Sequence, residues 1–359
     1  MTRKTYAHID LAAVQHNFDQ LSACAPNSQH VAVIKANAYG HGAIAVAEAL
    51  ASRVALFAVA FMDEAKQLRE AGIDTPILSL EGFFDEEEAI WAANHNVWLV
   101  IHHLAQLERV ERLQNPPIIW FKIDTGMHRL GFSLEEAPGL LQRFSHLLGP
   151  DSAVFTHLAC ADEVSNDKTR QQLDNLSRAL STQQTHLALS VANSAATVHW
   201  PSAHQRWNRL GIGLYGGFTG GSPELPQPKL LPAMSLHAPV IALRDLPAGE
   251  TVGYGSTWRA QRNTRLATVA IGYADGYPRH APSGTPAICH GQRIYLAGRV
   301  SMDMLIFDVT DCPQVALGDE VELWGSALSI KEVADHSGTI DYELMTRVSE
   351  RVPRVVKRI

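Results

Sequence analysis

Between residues 31 and 215 the chain repeats one unit eight times, a short apolar run followed by a stretch whose apolar residues recur three or four apart. The runs span residues 31–35, 55–60, 76–80, 97–102, 118–124, 153–159, 186–193 and 208–215. Runs of this length and apolarity suit strands buried on both faces of a parallel sheet. The helical spacing between them shows in Met62, Ala65, Leu68 and Ala71, and again in Leu173, Leu176 and Leu180. Eight strand–helix units predict an α/β fold, a (β/α)8 barrel of the TIM type. An open doubly wound sheet is the rival, because periodicity does not show closure; the count of eight and the lack of a convincing dinucleotide fingerprint favour the barrel.

The flanking segments read differently. Residues 5–9 alternate as a short strand, Asp10 is placed to cap a helix, and Val14, Phe18 and Leu21 follow at helical spacing. After Tyr215 the helical rhythm stops in a span crowded by Gly216, Gly217, Gly220, Gly221, Pro223, Pro226, Pro228 and Pro232, a crossing between domains. Alternating runs at 240–243, 265–272, 293–296, 304–309 and 320–324, divided by turn signals, then predict a mostly β domain. Short helices are expected at 330–336 and 342–349. The expected division is a barrel over 10–230 and a β-rich domain over 231–359, which the strand 1–9 is expected to join.

Composition narrows the ligand. The 359 residues are 19% charged and 46% hydrophobic, with net charge −7 and no clustering of Lys or Arg. That excludes a basic stripe for nucleic acid and a polybasic membrane anchor, and leaves a small molecule as the expected partner. The N-terminal residues lack the continuous apolar segment of a signal peptide, and no stretch is apolar for the ~20 residues a bilayer requires, so a cytoplasmic location is expected. Cys24, Cys160, Cys289 and Cys312 are far apart and form no CxxC pair, which favours free thiols in a reducing compartment.

In a barrel the chemistry gathers at the C-terminal strand ends. The polar residues there are Lys35, Lys122, Asp124 with Arg129 beyond it, His157, Asn193, Ser194, Arg209 and Gly211. By position alone Lys35 reads as a mouth lysine paired with a carboxylate. It is also the side-chain type that forms a Schiff base with a carbonyl compound, the way pyridoxal phosphate is held, and that reading calls for a phosphate site nearby. Gly211, Gly213 and Gly216 spell G-x-G-x-x-G, but they run into a Gly/Pro-rich linker rather than a helix, which rules out the dinucleotide reading. Backbone N–H groups after strand eight, with the Ser194 hydroxyl, are the better candidates for a phosphate cradle; taken alone the glycines serve a turn equally well. His157 reads as a satisfied core histidine or a metal ligand, and without a second ligand at suitable spacing zinc is not expected. Lys122 and Asp124 share a strand face and are expected to pair. Tyr254, between two glycines, is by itself an ordinary turn tyrosine.

Longer motifs add to this. They are Ala32-Val-Ile-Lys-Ala-Asn-Ala-Tyr-Gly-His-Gly42, Lys122-Ile-Asp-Thr-Gly-Met-His-Arg-Leu-Gly131, Thr156-His-Leu-Ala159, Asn193-Ser-Ala-Ala196, Arg209-Leu-Gly-Ile212, Val252-Gly-Tyr-Gly255, Gly272-Tyr-Ala-Asp-Gly-Tyr277 and Gly298-Arg-Val-Ser-Met-Asp303. In these motifs, and over nearly its whole length, the chain resembles the alanine racemases, pyridoxal-phosphate enzymes with a barrel followed by a β domain. The resemblance implies that Lys35 holds pyridoxal 5'-phosphate and acts as the base on D-alanine, with Tyr254 as the opposite base. It implies that the tyrosine comes from the partner subunit of a head-to-tail homodimer with two shared sites. Tyr39, Ser194, Gly211, Ile212 and Tyr342 would hold the phosphate, and Arg209, linked through His157, would meet the pyridine nitrogen. Arg129 and the Met302 N–H would take the substrate carboxylate. Lys122, at a position carbamylated in many members, and Asp303 would support them. Asp162, Tyr273, Arg279 and Arg299 would line an access corridor. The implied role is isomerisation of alanine, for D-alanine supply to peptidoglycan or for alanine catabolism.

The rivals are another barrel-type pyridoxal-phosphate enzyme, either an amino-acid decarboxylase or a broad-specificity racemase, and a cofactor-binding protein resembling the barrel alone. A metal-dependent barrel hydrolase is more distant. A decarboxylase needs no second base in a Val-Gly-Tyr-Gly setting, and a barrel-only protein would stop near the linker.

Overall fold

Eight parallel strands close into a barrel in the computed structural model of the chain, which describes residues 3–181, 187–221 and 227–357. His186, Pro223 and Pro226, used above to delimit a strand and the linker, lie outside the described residues. The first strand of the chain, β1 (Tyr6–Asp10), stands apart from the barrel. The barrel strands are β2 (Gln29–Val33), β3 (Leu56–Val59), β4 (Ile77–Ser79), β5 (Val97–Ile101), β6 (Ile119–Lys122), β7 (Ala153–Phe155), β8 (Ala188–Ser190) and β9 (Trp207–Leu210). Closure is made by the parallel ladder of β9 on β2, Trp207 opposite Gln29 through Leu210 opposite Ala32.

The barrel has a sealed end and an open one. Trp98, Trp120 and Trp207, at the starts of β5, β6 and β9, bring their rings within 5.6–6.3 Å of one another. Three large rings fill the N-terminal end, so polar side chains can gather only at the other. The helices outside, such as Leu11–Cys24 and Lys168–Leu180, bury one apolar stripe each. Asp10 accepts the Ala13 N–H at 3.1 Å and caps the first of them.

The second domain is built on β10 (Met234–Leu246), thirteen residues long and bulged at two points, which lets one strand serve several neighbours. The short pair β11 (Thr251–Val252) and β12 (Trp258–Arg259) brackets Tyr254. The remaining strands are β13 (Thr264–Val269), β14 (Pro286–Cys289), β15 (Gln292–Leu296), β16 (Leu305–Asp308), β17 (Glu320–Trp324) and β18 (Arg354–Lys357). The sheet runs β13-β16-β15-β14-β17-β10-β1-β18, with β13 also paired to β10. Thus β1 lies between β10 and β18, inside the second domain's sheet. Sequence alternation did not mark β14 or β18. Two helices, Ile330–His336 and Asp341–Arg347, follow β17, and the second reaches the barrel mouth. Among the described residues no helix is long and apolar enough to cross a membrane.

Candidate functional site

The strand expected to run through Lys35 stops at Val33, and Lys35 opens a turn instead. Ala36, Asn37, Ala38 and Tyr39 all have φ of 52–53°, a left-handed turn made without glycine. Each such residue costs roughly 1–2 kcal/mol, so the surroundings must over-determine it. Glu64 accepts the Ala36 N–H at 2.5 Å while also accepting those of Ala60 at 2.7 Å and Phe61 at 3.3 Å. Asn37 Oδ1 accepts the Ala43 N–H at 2.8 Å, and buried His41 donates from Nδ1 to the carbonyls of Ala38 and Tyr39, both at 3.0 Å. Arg354, from β18, donates to Gly40 O at 3.1 Å. Gly40 itself, at φ 82°, has no room for a side chain, since a Cβ there would stand 2.3 Å from Met345 O. The turn is therefore clamped from the barrel and from the β domain together.

This turn forms one wall of a cavity of about 520 Å³ at the open end of the barrel. Ten of the residues given a role by the resemblance line it: Lys35, Tyr39, Lys122, Arg129, His157, Ser194, Arg209, Gly211, Ile212 and Tyr342. Asn193 lines it too and caps the following helix by accepting the Ala196 N–H. Reading the sequence missed Glu81, Phe155, Glu343 and Thr346. Glu81 could have been found, because it directly follows the apolar run 76–80 and so ends a strand as Lys35 was expected to. Glu343 and Thr346 come from a helix of the β domain, which no strand-end rule reaches.

Arg209 is 3% exposed and has no carboxylate partner among the described residues. Its guanidinium donates to Ser190 Oγ (2.6 Å), Thr156 O (2.9 Å) and Val191 O (3.1 Å), and its NH2 lies 3.4 Å from His157 Nδ1. It also packs over the Phe155 ring at 4.2 Å. The Nε–H and one NH1 hydrogen remain without an acceptor among these contacts. Burial lowers its pKa to about 9, which leaves it a cation at neutral pH. Burial, and then the cations Arg209, Arg129, Lys122 and Lys35, hold His157 well below the ordinary histidine range, so it is neutral.

Lys122 corrects the expected pairing. Its ammonium lies 5.0 Å over the Phe155 ring, whereas Asp124 turns away to accept the Gly126 and His128 N–H groups (2.9 and 3.0 Å) and to meet the His128 ring at 3.1 Å. A carboxylate in a tight loop satisfies its nearest backbone donors before it reaches along the strand. Burial, reinforced by Arg129, Arg209 and Lys35, pushes Lys122 down to about 8, with Glu81 opposing. The pKa of Lys35 is lowered as well, by burial first and then Arg129, against the pull of Glu81 and Glu64. Neither lysine hydrogen-bonds to a described residue, so the carboxylate pair expected for Lys35 is not formed; the nearest acids act on it only at a distance. Four cations thus face Glu81 and Glu343 in one cavity, which suits an anion of more than one charge.

At the end of β9 the Gly211 N–H donates to Ser194 Oγ at 2.7 Å, and the Gly213 N–H reaches it at 3.4 Å. A side chain on Gly211 would stand 2.9 Å from the Tyr39 hydroxyl and fill the space between them. The phenol groups of Tyr39 and Tyr342 donate to no described residue, and their rings lie 5.9 Å apart. Hydroxyls and an open stretch of backbone thus converge on one corner.

The other named residues lie outside this cavity. Tyr254 is 69% exposed between Gly253 and Gly255, both at positive φ, and Met302 is 52% exposed. Tyr273 is held beside Met302 by its own N–H on Ser301 O (3.0 Å) and by the Ala274 N–H on Met302 O (3.0 Å). Asp303 pairs with Arg351 at 2.7 Å. Arg279 and Arg299 line a separate groove on the β domain, and Asp162 sits on the barrel, where its carbonyl accepts the Gly221 N–H.

Comparison with known proteins agrees with this arrangement. Residues 9–218 match the family model "Alanine racemase, N-terminal domain" and residues 233–356 match "Alanine racemase, C-terminal domain". An alanine racemase of Alteromonas mediterranea is 48% identical over 359 residues, covering 99% of each chain. The crystal structure of the biosynthetic alanine racemase of Pseudomonas aeruginosa superposes with a TM-score of 0.95 at 44% identity, covering 99% of this chain and 100% of that one. That of Bartonella henselae, described with covalently bound pyridoxal phosphate, superposes at 0.90 with 29% identity over 98% and 99% of the two chains. With both halves matched end to end, and with the unpaired lysine, the hydroxyl-lined corner and the cationic cavity in one place, the chain belongs to the alanine racemase family.

Proposed function

We propose that the chain interconverts L- and D-alanine with pyridoxal 5'-phosphate, by proton transfer at two opposite faces of the substrate. The observation that carries this reading is the cavity itself. An unpaired lysine with a lowered pKa stands on a clamped turn, facing a hydroxyl-lined corner large enough for a phosphate. The residues fit the cofactor. Ser194, Tyr39, Tyr342 and the N–H groups of Gly211 and Ile212 would hold its phosphate, and the free donors of Arg209 would meet its ring nitrogen. Bound there, the cofactor supplies an electrophilic carbonyl and a conjugated ring that draws electron density from the substrate Cα–H bond.

The chain's own residues would do the rest. Burial lowers the pKa of Lys35, which favours its amine as the group that takes and returns a proton on the face used by D-alanine. Arg129, exposed and without an ion pair among the described residues, would take the substrate carboxylate together with the Met302 N–H. Arg209 remains a cation at neutral pH, so it would donate to the ring nitrogen and keep it unprotonated, which would weaken the ring as an electron sink and limit side reactions. Lys122, with its pKa near 8, carries a substantial neutral fraction and is competent to add CO2. Its nitrogen would form a bond to carbon and release one proton to solvent, and the resulting anion would orient Arg129.

Tyr254 would be the base on the opposite face. In one chain it projects to solvent from the β domain, so we assign it to the site of a second copy, in a head-to-tail homodimer with shared sites. Met302 would act from the same surface. Asp162, Tyr273, Arg279 and Arg299 would then line the approach to each cavity.

Incubation with pyridoxal phosphate and L-alanine in D2O tests the reading. Loss of optical rotation with deuterium at Cα is expected; release of CO2, or no racemisation, overturns it. Mass spectrometry in bicarbonate, with and without Lys122→Met, tests the added CO2. A decarboxylase reading gains no support from the exposed Tyr254 surface, which that chemistry does not require.

A further inference from the structure

The hairpin turn between β14 and β15 carries a side chain that its backbone does not favour. His290 and Gly291 have φ of 50° and 72°, the two-residue turn in which asparagine and glycine are the usual pair. The histidine ring turns onto Asp319, Nε2 to Oδ2 at 2.6 Å, at the threshold of β17. The same carboxylate is oriented by the Ala316 N–H at 2.7 Å. Cys289, directly before the histidine, is buried and reduced, and its backbone stands opposite Val321 in the β14–β17 ladder. One sulfur, one imidazole nitrogen and one carboxylate oxygen from these residues all lie within 4.8 Å of one another.

We propose that Cys289, His290 and Asp319 form a binding site for a divalent cation of the zinc type, in the β domain and apart from the cavity that holds Lys35. Around a tetrahedral ion with bonds of about 2.0–2.3 Å, neighbouring ligand atoms stand about 3.3–3.8 Å apart. Side-chain shifts of about 1 Å therefore bring the three donors to bonding distance. A sulfur, nitrogen and oxygen set selects zinc or cobalt over magnesium and calcium, which require oxygen ligands. The thiol proton leaves to solvent as the sulfur–metal bond forms. The side chains of His290 and Asp319 are 42% and 24% exposed, so water completes the fourth position. The hydrogen bond from Ala316 to the carboxylate is the kind of outer contact that orients a metal ligand. The ion would tie the β14–β15 hairpin to the entrance of β17, and its effect would be on the β domain rather than on racemisation.

The test uses the full chain loaded with pyridoxal phosphate and freed of metal by a chelator. It is titrated with Zn2+ by calorimetry and with Co2+ by absorbance. One equivalent per chain is expected, with a thiolate-to-cobalt charge-transfer band, and a higher unfolding temperature in zinc. His290→Asn keeps the turn, because asparagine favours the left-handed position, and should weaken binding by about 100-fold or more. Cys289→Ser should remove the cobalt band and leave racemisation unchanged. Absence of the band in the unaltered chain, its persistence in Cys289→Ser, or unchanged zinc affinity in His290→Asn would each overturn the proposal.

Discussion

The barrel mouth and the outer face of the β domain hold the two parts of the candidate site in opposite conditions. At the mouth Ser194, Arg209 and Lys122 are 3–5% exposed on the walls of the cavity. On the β domain Tyr254 and Met302 stand more than half exposed. Groups that must have their charge or pKa altered are desolvated within the chain. Groups that only need to be presented are left on a surface, where a second copy would meet them.

The largest expected effect tests the enclosed half. Lys35→Ala should lower racemisation by more than about 10⁴-fold, the upper range for one acid–base group, and remove the absorbance of the lysine–cofactor bond. A loss under tenfold would break the assignment. Tyr254→Phe tests the exposed half, with an expected loss of about 10²–10³-fold. In D2O this variant should still exchange the α-proton of D-alanine while failing to exchange that of L-alanine; equal exchange of both would remove Tyr254 as a base. Mixing the two inactive chains sharpens the comparison further. If the halves meet across a dimer, statistical exchange restores about a quarter of the full activity, whereas a site complete within one chain restores none.

Smaller effects probe the cost of enclosure. The unfolded chain keeps the Lys122 proton to the ordinary lysine value of 10.5, but the native chain releases it from about 8. Between these values the unfolded state binds more protons, so stability should rise with pH, while below pH 8 the full penalty stands. In CO2-free buffer, where Lys122 keeps its free amine, Lys122→Met should therefore stabilise the chain at pH 7 by about 2–3 kcal/mol and flatten that rise in thermal unfolding. An unchanged pH slope would mean that another group sets it. Last, Glu64→Ala removes the acceptor of the Ala36 N–H, with an expected cost of about 1–3 kcal/mol and a modest loss of activity from a loosened Lys35. Equal stability and activity would show that His41, Asn37 and Arg354 suffice to hold the turn.

The sequence made the barrel and its mouth readable because strand burial and helix amphipathicity leave periods of fixed length. The polar residues ending those periods, Lys35, Lys122, His157, Ser194 and Arg209, fall in one cavity for the same reason. Local conformation was less legible. Lys122 and Asp124 share a strand parity, yet Asp124 is drawn to the N–H groups of its own loop, which period-two reasoning does not weigh. The left-handed turn after Lys35 has little local signature, since only Asn37 of its four residues favours positive φ while two alanines and a tyrosine do not. Glu64 and Arg354 impose it from two distant places in the chain, with His41 holding it from beside.

What the sequence determined by itself was therefore the layered plan and the identity of the chemical groups, because both depend on residue type and spacing. Only the tertiary structure decided which of those groups are desolvated, which are clamped into strained backbone and which are left facing solvent. Burial and strain are set by neighbours distant in the chain, such as Phe155 over both Lys122 and Arg209, and spacing along one strand carries no record of them.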